Sequence, residues 1–189
     1  MRADFIDRKT ATAVFKQMQP INRLICEVCM DTGLRVDDVC SLHTNDVLTA
    51  VSKNGWLTVK EMKTGKVRKV HLAKKQLEKL LFVAGELYVF EHRNDSYKHR
   101  TRQTVWKDLA RSAKSLREQG VSVSPHSLRK LYAVELFEKS GDLAKVQKDL
   151  NHDNLNTTVI YCMSKEIAKA KMKKQKKAMR SRVAGEKNV

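Results

Sequence analysis

Six residues stand out for what their types can do together. Arg35 closes Thr32-Gly33-Leu34-Arg35, and Lys63 opens Lys63-Thr64-Gly65. Pro125-His126-Ser127-Leu128-Arg129 supplies a histidine and an arginine three apart, and Tyr161 stands nine positions after His152. Two arginines, two histidines, a lysine and a tyrosine are what breaking a phosphodiester without a metal requires. Charge builds on the phosphate oxygens, which guanidinium forks bind without losing a proton at physiological pH. A nucleophile must lose a proton; a tyrosine hydroxyl beside a histidine does so and stores the bond as a covalent intermediate. A poor alkoxide leaving group must gain one, from a lysine or histidine acting as general acid.

Each residue also has a plainer role. Tyr161 can be a core aromatic at a helix end, His126 a helix cap, and Arg35 a counter-charge to Asp37 and Asp38. Singly, those roles are favoured. Six such residues in one chain favour the chemistry.

The elements that must position these residues are mostly helical. Apolar spacing predicts helices over 10–19, 21–31 and 36–42, the second stopping at Gly33. Strand-like pieces near 46–51, 56–61 and 67–72, punctuated by Asn54-Gly55 and Thr64-Gly65, suggest a small antiparallel meander. A helix follows over 74–83, and Leu87–Phe90 is a short apolar run of either type. Residues 101–119 read as one basic amphipathic helix, followed by an extended stretch to Pro125. Further helices are expected near 127–139, 142–150 and 156–162, with Gly141 separating the first two and Asn154 or Asn156 capping the third. The expected fold is mainly α with a small antiparallel β-sheet.

Of the 189 residues, 38 are Lys or Arg and 21 Asp or Glu, a formal charge of +17. Such a field favours a polyanion, nucleic acid first, because neutralising phosphates releases condensed counterions. A hydrophobic share of 41% is that of a globular chain, with residues enough for one sizeable core. No stretch approaches the roughly 20 apolar residues of a membrane span, and the first residues lack a signal-peptide layout. A soluble protein of the cytoplasm with reduced thiols is expected, with no membrane partner. Cys26-x-x-Cys29 has the form of half a zinc site or a redox pair. However, Ile21, Leu24, Ile25, Val28 and Cys29 share helical spacing and no second pair lies at ligand distance, so packing is the reading and no metal or cofactor is expected.

The motifs resemble those of the tyrosine recombinase (phage integrase) family. Thr32 to Leu42 is similar to its first arginine box, with Asp38 at the acidic position. Lys63 to Leu72 is similar to its β-hairpin lysine segment, although Lys66 and Lys69 share that hairpin. Pro125 to Arg129 resembles the second arginine box, and Leu150-Asn151-His152 with Asn156 to Tyr161 the histidine and tyrosine segment. The order Arg, Lys, His-x-x-Arg, His, Tyr is complete, over roughly residues 5 to 165. Two positions depart from the pattern: Lys130 replaces a frequent histidine, and Asn151 replaces the usual glycine. Asn151 is therefore expected in the left-handed conformation, which asparagine tolerates.

The resemblance implies a site-specific DNA recombinase, bacterial or phage-encoded, that works through a 3′-phosphotyrosine and a Holliday junction. It implies Tyr161 as nucleophile, Arg35 and Arg129 on the phosphate oxygens, and Lys63 as the acid. His126 would assist proton transfer and His152 would hydrogen-bond the phosphate. Double-stranded DNA is the implied partner, with a homotetramer on DNA, a monomer in solution and possible accessory DNA-bending proteins. A type IB topoisomerase, a telomere resolvase and a non-catalytic DNA-binding regulator share enough of this pattern to stay as alternatives. Residues 1–164 are read as the catalytic domain and 165–189 as a basic extension, helical and then disordered. That extension has three candidate roles: docking on its own body or a neighbour, contacting DNA, or solvation. A separate clamping domain, carried by larger members, is not seen, which fits a minimal recombinase or a catalytic fragment alike.

Overall fold

A computed structural model describes residues 3–171 and 173. In chain order the elements are α1 (Arg8–Phe15), α2 (Pro20–Thr32), α3 (Val36–Cys40), α4 (Thr44–Ser52), β1 (Trp56–Lys60), β2 (Val67–His71) and α5 (Lys74–Val83). They continue with β3 (Glu91–His92), β4 (Asp95–His99), α6 (Arg102–Ser112), α7 (Lys114–Glu118), α8 (Pro125–Ser140), α9 (Leu143–Asp149) and α10 (Leu155–Cys162). The fold is mostly helical with two small antiparallel hairpins, β1–β2 and β3–β4.

The ends of the helices follow from their residues. Asp7 caps α1 by accepting the Thr10 amide at 2.7 Å, so that helix begins two residues earlier than its apolar spacing suggests. Pro20 opens α2, and Gly33, left-handed at φ 64°, closes it by donating to the Cys29 carbonyl. Pro125 opens α8, Gly141 closes it, and Asn154 caps α10 through the Asn156 amide.

One large core runs beneath α2, α6, the start of α8 and the inner face of β1–β2, with Ile25, Val28, Leu57, Leu80, Phe90, Leu109 and Leu128 at its centre. All four cysteines are buried in the reduced form. Burial raises their thiol pKa values, with Cys40 pushed up to about 12. A second, smaller cluster of Ala133, Val146, Leu150 and Cys162 joins α8 to α9 and α10, with Tyr161 packed against it.

Three expectations change. Residues 46–51 are helical, within α4, and among the described residues no third strand pairs with the hairpin. Val47 and Ala50 are buried while Leu48 and Val51 are half exposed, a helical period that the β-branched residues obscure. Residues 101–119 are two helices, broken at Ala113, with Leu116 of α7 resting on the core. The hairpin of β3 and β4 lies in a stretch for which no element was expected. The apolar run at 87–90 is extended chain: Tyr88 bridges to His43, and Val89 and Phe90 are buried.

Residues 164–171 are helical and lie on the chain's own body. Lys165 pairs with Glu138 at 2.5 Å, and Lys171 with Asp4 at 3.1 Å. The disorder expected further along the extension falls outside the described residues. Among the described residues no helix is long and apolar enough to cross a membrane.

Candidate active site

The site begins where α2 ends. A side chain on Gly33 would put its Cβ 2.4 Å from Cδ1 of Tyr132, so both the backbone angle and the close approach require glycine. The corner leads through buried Leu34 to Arg35, which is extended and caps α3. Asp38 is 1% exposed and fixes this corner. Its Oδ2 accepts the Arg35 amide at 3.3 Å, and its Oδ1 accepts the Met62 amide from the β1–β2 turn at 2.9 Å. Burial raises the Asp38 pKa, and the bond from Met62 opposes that rise.

The hairpin carries opposite charges on its inner face. Glu61 follows β1, is fully buried, and accepts Nη1 of Arg35 at 2.6 Å. Arg68 of β2 is 4% exposed; its Nη2 donates to the Thr32 carbonyl at 2.6 Å and its Nη1 to the Gly33 carbonyl at 3.2 Å. Burial would raise the Glu61 pKa, but the hydrogen bonds from Thr64 and Arg35 hold it below its ordinary value. The three lysines of this hairpin separate. Lys63 lines the cleft described below, Lys66 pairs with Asp153 at 2.5 Å, and Lys69 lies on the outer face of β2.

On α8, His126 and Arg129 are three apart and so share a helix face. Arg129 is 3% exposed, and its two terminal nitrogens donate to the carbonyls of Gly33 and Leu150. Each of those nitrogens keeps a second hydrogen for another acceptor. Burial, with Arg35 and Arg68 nearby, lowers the Arg129 pKa to about 10, so it remains a cation at neutral pH.

Asn151, between α9 and α10, is left-handed at φ 48°, as expected. His152 follows, its Nδ1 3.0 Å from Oγ1 of buried Thr158. Burial and then Arg129 and Arg35 push the His152 pKa down to about 4, leaving a neutral ring. That ring meets Tyr161 edge-on at 5.1 Å. Tyr161 reaches across to His126, whose Nδ1 is 3.2 Å from its phenolic oxygen. Burial raises the Tyr161 pKa, against the pull of Arg129 and Arg35. Desolvation and then Arg129, Lys130, Arg35 and Lys63 lower that of His126.

A cleft of about 510 Å³ opens over these groups, lined by Arg35, Lys63, His126 and Arg129 among others. Tyr161 adjoins it through His126, and His152 through Tyr161. The six residues singled out in the sequence thus meet in one place, from α3, the β1–β2 turn, α8, and α10 with the loop before it. Two guanidinium groups, an ammonium, two neutral imidazoles and a phenol can hold an anion with a hydroxyl able to act as nucleophile at its edge.

A sequence profile described as the phage integrase family matches residues 5–167. The chain belongs to the phage integrase family. Tyrosine recombinase XerA of Pyrococcus furiosus is 32% identical over 147 residues, covering 74% of this chain and 49% of the relative. Among solved structures, the XerH site-specific recombinase bound to difH substrate superposes with a TM-score of 0.65 at 24% identity, covering 83% of this chain and 50% of that one. A lambda integrase tetramer bound to a Holliday junction gives 0.66 at 22%, covering 85% and 48%. At those identities the two structures share the fold of this family member. The chain spans about half the length of the relatives it matches.

Several groups of this integrase-family site escape motif reading. Glu61 and Arg68 hold Arg35 and Gly33 in place, Asp149 accepts from both Arg68 and the Tyr132 hydroxyl, and Thr158 orients His152. A signal existed for the first two. Alternation along the hairpin puts Leu57, Val59 and Glu61 on the face shared by Arg68 and Val70, so both charges sit at inward positions. Asp149, Tyr132 and Thr158 carry no such mark.

Proposed function

We propose that residues 1–164 are the catalytic domain of a site-specific DNA recombinase that cleaves and rejoins DNA through a 3′-phosphotyrosine, with 165–189 as a basic extension. The observation that carries this reading is the 3.2 Å contact between His126 and Tyr161 beside a cleft walled by Arg35, Arg129 and Lys63. XerA, one of its relatives, is named a tyrosine recombinase.

The chemistry follows from the groups present. Arg35 and Arg129 hold the non-bridging oxygens of the scissile phosphate and meet the charge that grows there. The phenolic proton of Tyr161 passes to Nδ1 of neutral His126 as its oxygen attacks phosphorus. The bond to the 5′ oxygen breaks, and that oxygen takes a proton from Lys63. In the tautomer in which Thr158 donates to its Nδ1, His152 carries its proton on Nε2 and donates it to the phosphate. Rejoining reverses each step: a 5′-hydroxyl attacks the phosphotyrosine, Lys63 recovers a proton and Tyr161 leaves. The reaction conserves the bond, so no cofactor is called for.

The partner is double-stranded DNA, which the charge of +17 favours. Exchange through a Holliday junction calls for four copies on DNA, from monomers in solution, with accessory DNA-bending proteins where the site must be looped. The test is to incubate the protein and its Tyr161→Phe variant with sheared source DNA, denature, and sequence the ends bound covalently. Tyrosine-dependent adducts at one inverted-repeat site support the reading. Dispersed adducts indicate a topoisomerase, and DNA binding without adducts a regulator.

A further inference from the structure

Glu61 has no access to solvent, and a buried carboxylate is costly unless its partners compensate it. Its partners are unusual in lying on both sides of one exposed lysine. Oε2 accepts Nη1 of Arg35 at 2.6 Å and Oγ1 of Thr64 at 2.8 Å. Oε1 accepts no hydrogen bond and faces Nη1 of Arg68 at 4.0 Å. The backbone closes the same turn: the Glu61 amide donates to the Lys66 carbonyl, and the Gly65 amide to the Glu61 carbonyl. Met62 adds its amide to Asp38. Residues 61 and 62 are therefore tied to Arg35 and to the corner that it caps, and Thr64 is tied to that corner through Glu61. Lys63 lies between tied residues. Beyond them the turn is open, since a Cβ on Gly65 would meet nothing within 4 Å.

We infer that Glu61 is a positioning residue for leaving-group protonation. Its carboxylate locks the turn so that Nζ of Lys63 is presented where Arg35 holds the phosphate. This rests on the roles proposed above for Arg35 and Lys63. In the step concerned, the bond from phosphorus to the 5′ oxygen breaks as the bond to Tyr161 forms, and the proton moves from Lys63 to the 5′ oxygen. Loosening the turn displaces the acid while the nucleophile stays in place.

A bridging sulfur separates these contributions. A thiolate, whose conjugate acid has a pKa of about 8.5, leaves without a proton, whereas an alkoxide does not. Cleavage is measured on a duplex carrying the mapped site, with oxygen or sulfur at the bridging 5′ position. Glu61→Ala is expected to slow the oxygen substrate on the order of 10²-fold, the effect of a displacement of about 1 Å, and the sulfur substrate clearly less, because loosening Arg35 costs both substrates while displacing Lys63 costs only the oxygen one. Glu61→Gln, which keeps the acceptor for Arg35 and Thr64, recovers most of the loss. Thr64→Val removes one tie without touching the charge and shows a smaller loss, confined to oxygen.

Equal loss of both substrates in Glu61→Ala, or wild-type rates on both in Thr64→Val, overturns the inference. Lys63→Ala is the reference: it should fail on oxygen and recover on sulfur. If sulfur does not rescue it, Lys63 is not the acid, and the inference falls with that reading.

Discussion

Nδ1 of His126 lies 3.2 Å from the phenolic oxygen of Tyr161, both in the same chain. The histidine is fixed near the start of α8, and the tyrosine ring is steadied by the edge of His152 at 5.1 Å. Imidazole and phenol are thus paired before any substrate arrives.

Tyr161→Phe keeps the ring that packs on the small cluster of Ala133, Val146, Leu150 and Cys162 and removes only the hydroxyl. Covalent adducts should vanish while DNA affinity changes less than about twofold, because phosphate contacts rest on the arginines. Gel-shift titration beside denaturing electrophoresis checks both. A parallel fall in binding would make Tyr161 a packing residue.

Cleavage should depend on pH through His126. Desolvation and the surrounding cations lower its pKa from 6.5, so Nδ1 is free to accept a proton at neutral pH. The rate of adduct formation should be flat near pH 7 and decline on the acid side, with its midpoint below 6.5. His126→Asn should remove that limb. A midpoint above 7 would contradict the assignment.

His152 ties stability to pH as well. Its pKa is about 4 in the folded chain and 6.5 when unperturbed, so on acidification the unfolded chain binds the proton first. Stability is therefore lost as pH falls from 6.5 towards 4, by up to about 3 kcal/mol from this group. Urea midpoints at pH 7 and pH 4.5 measure the loss, and His152→Gln should shrink it.

The hairpin lysines should divide by position. Lys66 and Asp153 form an exposed, solvent-screened pair that contributes little, so Lys66→Ala should leave cleavage within about twofold. Lys63→Ala should lower cleavage about 10²- to 10⁴-fold with binding retained. The reverse pattern in single-turnover assays would move the acid to Lys66.

Gly33→Ala tests the corner. The new Cβ meets Tyr132 at 2.4 Å at a positive φ, at a cost of about 1–3 kcal/mol. Because the Gly33 carbonyl accepts from Arg68 and Arg129, cleavage should fall further than the unfolding midpoint alone explains. Measuring adduct yield well below the melting temperature separates the two effects.

The chemistry-bearing residues were legible because their types and order are restrictive, and their helices because Gly33, Gly141, Pro125 and Asn154 punctuate them. Residue 151 was legible too, since a left-handed position before His152 suits asparagine. Residues 46–51 misled because Val47, Thr49 and Val51 are strand formers locally, while burial of Val47 and Ala50 against distant elements decides for a helix. Glu61 and Arg68 are charges whose inward direction shows only if the hairpin register is trusted over their polarity. Asp149 and Thr158 act through partners distant in fold or on another turn, and that pairing exists only once the chain is packed.

The tyrosine helix is held by an apolar cluster separate from the main core. The ties across its boundary run from Arg68 and Tyr132 to Asp149, from Arg129 to Leu150, from Lys66 to Asp153 and from His126 to Tyr161. The molecule thus has two packed layers. Arg35 stands over the larger one, and Arg129 ties the two through its bonds to the Gly33 and Leu150 carbonyls. Tyr161 sits on the smaller layer and reaches the arginine cleft across the seam between them.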